Sequence, residues 1–238
     1  MKTRTIAVMA LFLCGHTVAG QLQMGLVAES HVSTIQDKKT EVALVPAVNY
    51  QGERFSFVGG ELSYAFYQQD GYRLSILGQR RGEGYEVKDS SALESMEDRE
   101  SGFDLGLGIT TTALWGEIKV NVLADITGRS GGQEIKAAYR YPLQAGRWIF
   151  ESLLGVSWKS AELVDYYYGV SQKEARFGRP GYLGDAAINP YATFNLVYKL
   201  DREWLLVGGC EITLLDDSIA DSPIIDRNNQ LNLYSAVL

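Results

Sequence analysis

The sequence predicts an all-β fold, a transmembrane antiparallel up-and-down β-barrel, from three observations. Apolar and polar residues alternate over long windows, as in a strand whose two faces meet different surroundings. Short connections between the predicted strands alternate with long ones, as in outer-membrane barrels. The chain also begins with a short positive segment followed by an apolar run, which is typical of an exported protein.

The clearest alternation lies in residues 114–127. Ile118 and Val122 occupy one face of this window, and Glu117 and Lys119 occupy the other. A membrane strand needs about 9–11 residues, whereas strands of soluble sandwiches average about 5–6, so windows of this length favour a membrane barrel. Three more windows repeat the pattern: 131–143, 147–160 and 191–200.

The expected strands lie near 22–31, 41–50, 54–59, 61–68, 71–81, 102–112, 115–127, 131–143, 147–160, 187–199, 203–215 and 224–238. Alternate connections are then short (51–53, 69–70, 113–114, 144–146 and 200–202), and the long ones fall in the other set (32–40, 82–101, 161–186 and 216–223). Short periplasmic turns, long outer loops and an even strand number are typical of outer-membrane barrels. Reading 54–68 as one strand would give an odd count, so we predict twelve strands, with ten as the alternative.

An export signal is expected at the start of the chain. The apolar run 6–13 is too short to cross a bilayer as a helix, and small residues lead to a predicted cleavage site near Gly20. We therefore predict a signal peptide over 1–20 and an outer-membrane β-barrel over 21–238, in the cell outer membrane of a Gram-negative bacterium.

Composition limits the partners of the chain. It carries 22 Lys and Arg against 29 Asp and Glu, a net charge of −7, and nucleic-acid binding needs clustered cations, so no nucleic acid is expected as a partner. The segment after the predicted signal has one histidine, His31, and one cysteine, Cys210. No disulfide within it and no Cys/His metal site can be assembled, and we expect no metal and no cofactor.

Catalysis has little support in the sequence. A nucleophile, base and acid could be drawn from Ser33, His31 and Asp37, but neighbouring loop positions rarely give that geometry. We expect a solvated loop histidine and no enzyme.

Two runs of acidic residues could bridge divalent cations on lipopolysaccharide, although they lack the ordered spacing of a calcium loop. We expect solvated outer loops here. The acids are Glu83, Glu86, Asp89, Glu94, Glu97, Asp98 and Glu100 in one run, and Asp216, Asp217 and Asp221 in the other.

Charged residues on the polar faces of the predicted strands are expected to fill the lumen with ion pairs. The predicted lumen charges are Glu117, Lys119, Glu134, Lys136, Arg140, Glu151 and Lys159. The tryptophans lie near strand ends, where interfacial girdles form: Trp115, Trp148, Trp158 and Trp204.

The long connection 161–186 is the candidate interaction or cap loop, because it combines tyrosine, arginine and proline. It is either a binding loop or an ordered cap, with Arg179 paired to Asp165 or Glu174. The candidate residues are Asp165, Tyr166, Tyr167, Tyr168, Glu174, Arg179, Pro180 and Tyr182.

Three blocks carry a family resemblance: Asp165-Tyr-Tyr-Tyr-Gly-Val-Ser with Gly178-Arg-Pro-Gly-Tyr182, then Tyr198-Lys-Leu-Asp-Arg-Glu-Trp204, then Asp221-Ser-Pro-Ile-Ile225. In order and spacing they resemble the MltA-interacting protein (MipA/OmpV) family of outer-membrane proteins. The chain departs from the family in having three tyrosines, 166 to 168, where two are common. It also ends in Leu238 rather than in an aromatic residue.

The resemblance implies a function as well as a barrel. One family member joins a lytic transglycosylase to a bifunctional penicillin-binding protein, and other members resemble porins or adhesins. We therefore expect a non-enzymatic scaffold for peptidoglycan-remodelling enzymes, with a lytic transglycosylase and a penicillin-binding protein as partners. Outer-membrane lipid and lipopolysaccharide would surround the barrel. The alternatives are a small-solute porin or a surface adhesin.

Overall fold

The computed structural model describes residues 20–201 and 204–238, and these residues form a closed antiparallel barrel of twelve strands. The strands are β1 (Gln21–Val32), β2 (Glu41–Gln51), β3 (Phe55–Val58), β4 (Glu61–Gln69), β5 (Tyr72–Arg80), β6 (Phe103–Ala113), β7 (Gly116–Asp125), β8 (Gln133–Ala145), β9 (Trp148–Lys159), β10 (Ala187–Lys199), β11 (Leu205–Leu214) and β12 (Asn229–Val237). Two short helices lie between strands, α1 (Ala161–Tyr168) and α2 (Asp217–Ala220), with 3₁₀ turns at Val87–Asp89 and Ser91–Leu93. Apart from Gly20, the predicted signal peptide lies outside the described residues.

The strand order is that of an up-and-down barrel. Each strand pairs with its neighbours in sequence, and β1 closes the barrel against β12. This confirms the predicted fold class and the count of twelve over the described residues. The predicted start of the last strand at 224 is wrong, because Ile224 and Ile225 are buried in a cluster of loop residues and β12 begins at Asn229.

The two ends of the barrel differ. Four two- or three-residue turns and the β10–β11 connection form one end, where β1 also begins and β12 ends; we call it the turn end. The longer connections form the other, the loop end: 33–40, 81–102, 126–132, 160–186 and 215–228. In outer-membrane barrels short turns face the periplasm and long loops face outward, which assigns the loop end to the outside.

The strands alternate as the sequence predicts. On β7, Ile118 and Val122 are exposed, whereas Asn121 and Leu123, which flank Val122, are buried. Since successive side chains of a strand point to opposite faces, the exposed set forms the outer belt and the buried set faces the lumen. No helix within 20–201 and 204–238 has both the length and the apolar character needed to span a membrane.

The barrel wall is incomplete beside β3. This strand has four residues, and β2 pairs with it at two positions only, Tyr50 with Phe57 and Gln51 with Ser56. The β3–β4 turn is therefore set back from the loop end, and the Gly59 amide donates to the Asn49 side chain at 3.2 Å. Residues 42–48 of β2 have no ladder partner on this side within the described chain.

Candidate functional site

Charged side chains of β7, β8 and β9 meet on the inner wall. Arg140 lies between two carboxylates, 2.9 Å from Glu117 and 3.2 Å from Glu151. Arg140 stands directly opposite Glu117 in the ladder, so the alternation that turns one inward also turns the other inward. On the same wall, Lys119 lies 2.7 Å from Glu61 of β4. These groups are partly exposed to the lumen, except for Glu151, which is buried.

A second, more deeply buried cluster lies towards the loop end. Its centre is Arg81, whose guanidinium lies 2.6 Å from Asp104, 3.0 Å from Glu134 and 2.9 Å from Glu83. Lys159 contacts Glu83 as well. We call this group the Arg81 cluster.

Opposite charges offset the cost of burying the Arg81 cluster inside the barrel. Lys136 lies 3.6 Å from Glu134, and the Ser157 hydroxyl donates to Glu134 at 2.5 Å. With Lys136 included, three cations face three carboxylates. Removing one partner of a buried pair typically costs about 3–5 kcal/mol, because the other charge is left buried and uncompensated.

The loop residues of the Arg81 cluster titrate abnormally. Burial alone would raise the pKa of Glu83, but Lys159 and Arg81 outweigh burial and hold that pKa far below its usual range. Burial alone would lower the pKa of Arg81, and the three carboxylates around it raise it instead. Both groups are therefore charged at neutral pH.

Above this cluster, four connections of the loop end pack together into an ordered cap. Their shared apolar core is formed by Ile35, Tyr85, Leu93, Met96, Val170, Ile224 and Ile225. The residues come from four connections far apart in the sequence, so the barrel strands must bring these connections together for the core to pack. Burying such side chains contributes roughly 1.5–3 kcal/mol each, which makes the cap a folded unit rather than a set of solvated loops.

Arg179 ties the cap together through backbone groups. Its guanidinium donates to the carbonyl oxygens of Ala92 at 2.5 Å, Glu94 at 3.0 Å and Glu174 at 2.6 Å. The expected ion pair of Arg179 with the carboxylate of Asp165 or Glu174 is wrong, because Arg179 reaches main-chain oxygens instead. The Asp165 carboxylate accepts from the Gly184 amide at 3.0 Å.

The Glu174 carboxylate is the second tie. It accepts from the amides of Glu97 and Ser171 at 2.9 and 3.0 Å, and Arg99 lies 2.9 Å from it. Burial alone would raise the pKa of Glu174, but these donors and the Ser171 hydroxyl lower it to about 2. Glu174 thus joins the 81–102 and 160–186 connections.

The predicted tyrosines also lie in the cap. Tyr166 accepts from the Glu100 amide at 3.1 Å, and Tyr167 is buried and donates to the Glu100 carbonyl at 3.3 Å. The Tyr168 ring lies 6.0 Å from the Lys159 amine, and burial raises the pKa of Tyr168 to about 12. Two further predicted residues complete the set: Tyr182 donates to the Ser218 carbonyl at 3.1 Å, and Pro180 is exposed.

The sequence of this barrel matches a known protein family. The family model described as "MltA-interacting protein MipA" matches residues 24–237, nearly the whole barrel. The chain belongs to the MipA family. The "MltA-interacting protein" of Escherichia coli (strain K12) is 30% identical over 81% of this chain and 79% of its own length. "Outer membrane protein OmpV" of Vibrio cholerae is 25% identical over 90% of this chain and 84% of its own length.

Further relatives agree with an outer-membrane location. "Putative outer membrane protein YiaT" of Escherichia coli (strain K12) is 25% identical over 98% of this chain and 96% of its own length. Among solved structures, an outer membrane channel from Pseudomonas putida F1 covers 97% of each chain at 12% identity, with a TM-score of 0.44. The family match and the named relatives, rather than this distant structure, identify the MipA-family barrel as an outer-membrane protein.

In this MipA-family barrel, the three residues considered as a catalytic arrangement, Ser33, His31 and Asp37, each bind a different group. His31 lies at the end of β1 rather than in a solvated loop, and its Nδ1 is 2.5 Å from the Asn232 side-chain oxygen. Ser33 accepts from the Ile35 amide, and Asp37 accepts from the Ser91 hydroxyl at 3.0 Å. The expectation of a solvated histidine is therefore wrong, and each of the three groups has its own structural partner.

The acidic runs are likewise more structured than solvated loops. Glu83 belongs to the Arg81 cluster, Glu94 pairs with Arg176 at 2.9 Å, and Asp98 accepts from the Val87 amide at 2.7 Å. Asp216 accepts from the Ser218 amide at the start of α2, at 3.0 Å. Within the described ranges these acids and their neighbours form no cluster able to hold a metal ion.

Sequence reasoning missed the centre of the Arg81 cluster. Arg81 ends the predicted strand 71–81 and shares the face of Leu77 and Gln79, so alternation indicates its direction but not its partners. Glu83 lies beyond that strand, where the pattern gives no direction. Asp104 could have been found, because it precedes Gly106 and Gly108 at two-residue spacing on β6 and so shares their face.

Proposed function

We propose that this MipA-family barrel is a non-enzymatic scaffold whose periplasmic turns bind peptidoglycan-remodelling enzymes. The observation that carries the proposal is the packed loop end, where the apolar core of the cap and the ion pairs of the Arg81 cluster occupy the space above the barrel wall. A barrel closed in this way is poorly suited to bulk solute flow, so the turn end becomes the functional surface.

The turn end offers an apolar anchor. Leu114 is 104% exposed at the tip of the β6–β7 turn, and the adjacent Trp115 is 49% exposed. Large apolar side chains at a surface are typical anchors of protein interfaces. One turn buries little area, and a stable interface needs about 1,200–2,000 Å², so a partner would contact several turns together. Exposed Arg147 and Trp204 lie at neighbouring turns.

The partner class follows from a relative. The name "MltA-interacting protein" is that of a relative 30% identical to this chain. We transfer from this name a lytic transglycosylase as the first partner. A penicillin-binding protein, implied by the family resemblance of the sequence, is proposed as the second. Neither enzyme crosses the outer membrane in this scheme, so both meet the barrel from its periplasmic turn end.

The test compares two exposed apolar residues at opposite ends. Envelopes are cross-linked in cells producing the wild type, Leu114→Ser or Phe177→Ser, and the proteins recovered with the barrel are identified by mass spectrometry. Phe177 is 106% exposed in the cap, which makes it a matched control. We expect a lytic transglycosylase with the wild type and with Phe177→Ser, and its loss with Leu114→Ser. No such enzyme with the wild type would overturn the scaffold proposal.

Two alternatives have specific observations in their favour. The partly exposed Lys119 and Arg140 favour a small-solute porin, and exposed Phe177 and Leu183 of the cap favour a surface adhesin that also contacts lipopolysaccharide. Conductance of the purified barrel tests the first. For the second, Phe177→Ser would reduce cell attachment while Leu114→Ser would leave it unchanged.

A further inference from the structure

Three adjacent strands of the barrel contain no cationic side chain. Strands β1, β11 and β12 have neither lysine nor arginine anywhere in their sequences. The cations that pair inside the lumen come from other strands, with Lys119 on β7 and Arg140 on β8. A carboxylate on the inner face of β11 therefore finds no lysine or arginine on its own strand or on β12.

Glu211 is such a carboxylate, and it lies at the centre of a polar row. The ladders place Thr193, Glu211, Asn232 and His31 side by side across β10, β11, β12 and β1, and we call them the Glu211 row. The Thr193 hydroxyl and the Asn232 side-chain amide each donate to Glu211 at 3.3 Å, one to each oxygen. Both oxygens thus act as acceptors, as in an ionised carboxylate. His31 Nδ1 lies 2.5 Å from the Asn232 oxygen, which leaves the Asn232 amino group for Glu211.

Glu211 differs from other carboxylates of the inner wall in its partners. Glu61 lies 2.7 Å from Lys119, and Glu151 lies 3.2 Å from Arg140. Among the described residues, no lysine or arginine forms an ion pair with Glu211, and its hydrogen bonds come from neutral groups. Ionisable groups within membrane proteins usually pair with one another, so a carboxylate without a cation indicates a place for a cationic ligand.

Two tyrosine rings flank the Glu211 row. Tyr191 precedes Thr193 by two residues on β10, and Tyr234 follows Asn232 by two residues on β12. A Cβ atom at Gly155 would collide with the Tyr191 ring, and one at Gly209 would collide with the Tyr234 ring. Each ring therefore lies across a glycine of the adjacent strand, with its other face towards the lumen. Both tyrosines interact electrostatically with Glu211.

The flanked row is accessible from the lumen. Tyr191, Glu211, Asn232 and Tyr234 are each half-buried. All four belong to the inward-facing set of their strands, so their exposed parts border the lumen rather than the lipid.

The combination of a carboxylate and ring faces selects the kind of cation. The electron-rich face of an aromatic ring attracts cations, and quaternary ammonium groups are recognised in this way. A calcium ion instead needs about six to eight oxygen ligands. The described residues form no cluster of side chains able to hold a metal ion. The chemistry of the Glu211 row therefore suits an organic cation better than a metal ion.

We propose that the Glu211 row and the rings of Tyr191 and Tyr234 form a binding site for an organic ammonium ion. The Glu211 carboxylate supplies the opposite charge. The ring faces contact the carbon atoms attached to the nitrogen, over which the positive charge is spread. This site faces the lumen, so it is separate from the turns that the scaffold proposal assigns to partner enzymes.

The first test measures binding of tetramethylammonium to the refolded full-length barrel in detergent micelles. Saturation-transfer NMR follows the titration, with sodium chloride adjusted to keep the ionic strength constant. We expect saturable binding to the wild type, and Glu211→Gln should weaken it about tenfold or more because the opposite charge is lost. Glu61→Gln is the matched control, since it also removes one negative charge from the lumen but at a carboxylate already paired with Lys119. Binding to Glu61→Gln should stay within about twofold of the wild type. No saturable binding to the wild type, or equal weakening in both variants, would overturn the proposal.

A second pair of variants tests the aromatic contact. Tyr191→Phe keeps the ring face and should bind tetramethylammonium as the wild type does. Tyr191→Leu removes the ring and should weaken binding about two- to fivefold. Equal affinity of the two variants would contradict a site built on ring faces. Heat-modifiable migration on gels checks that every variant is folded. Since the purified barrel contains no partner enzyme, these outcomes are independent of the scaffold proposal.

Discussion

Arg179 and Glu174 hold the cap with two kinds of hydrogen bond. The Arg179 guanidinium donates to three carbonyl oxygens. The Glu174 carboxylate accepts from two backbone amides and pairs with Arg99. Bonds with one ionised partner are about twice as strong as neutral ones. Both residues join segments that are distant in the sequence, so each fixes a loop-to-loop distance that apolar packing alone leaves loose.

The Glu174 tie predicts a loss of cap order in acid. Its pKa is lowered to about 2, so ionisation stabilises the cap fully above the unfolded value of about 4.5. That stabilisation is lost as pH falls from about 4.5 towards 2. Limited proteolysis of the 171–179 segment at pH 7, 4 and 2.5 should show increasing cleavage by an acid-tolerant protease.

Glu174→Gln supplies the control for that prediction. The glutamine amide is neutral at every pH and lacks the charge that stabilises the cap. The cap of this variant should therefore be cleaved more readily at neutral pH, and its cleavage should change less between pH 7 and 2.5. Equal pH dependence in the wild type and Glu174→Gln would show that other carboxylates govern the cap.

The two faces of β7 predict opposite sensitivities to charge. Val122 is 50% exposed on the outer belt, so Val122→Arg should cost about 2–4 kcal/mol of folding free energy if it lies near the bilayer midplane. Lys119→Ala, on the inner face, should be far milder. Urea unfolding in lipid vesicles measures both. A cysteine at 122 that reacts with water-soluble maleimide while one at 119 does not would reverse the faces.

Sequence reasoning at the residue scale had a clear limit. Period-two alternation placed Glu117, Lys119 and Arg140 on one face, because strands fix side-chain direction. It could not find the tie of Arg179 to backbone oxygens, since main-chain partners leave no trace in residue types. It also missed the role of Arg81, because the carboxylates around it come from separate strands and from a loop.

The elements of the barrel differ in how completely they are paired. Most strands have long partners on both sides, whereas β3 has four residues and β2 is paired on one side over most of its length. Sequence alone located β3 near its true position, but it could not show the consequence for β2, which depends on the register across two neighbouring strands.

This asymmetry predicts an alternating pattern of hydrogen exchange along β2. The amides of Val42, Leu44 and Val48 face the side of β2 that lacks a ladder partner among the described residues, and they should exchange fast. Those of Ala43 and Val45 face β1 and should be protected. Amide exchange followed by NMR on the refolded barrel resolves the residues separately. Uniform protection from 42 to 48 would mean that the edge is paired or covered.

The cap was the least predictable element. The sequence indicated that 161–186 was either a binding loop or an ordered cap, and the structure has it ordered. The 160–186 connection packs against the other long loops. Residues 224–228, predicted as the start of the last strand, precede β12, and Ile224 and Ile225 among them belong to the apolar core of the cap. The pattern Ile224-Ile225 suits either a strand or a small apolar core, and only tertiary contacts decide between them.

The whole barrel should conduct poorly because the cap and the Arg81 cluster lie in series on one path. In planar bilayers the wild type should be silent or show small, flickering currents. Arg179→Ala releases three carbonyl oxygens in the cap and should increase both the frequency and the size of openings. Arg147→Ala, at an exposed turn, should not. Stable, large, salt-proportional conductance in the wild type would favour the porin alternative instead.

The tryptophans are distributed unevenly along the barrel axis. Trp115, Trp148 and Trp204 lie at the turn end, and Trp158 alone among the described tryptophans lies towards the loop end. Most of the intrinsic fluorescence therefore originates near a single membrane surface. Quenchers confined to one leaflet would dim the emission unequally, so light from the unlabelled protein reports which way round it has inserted.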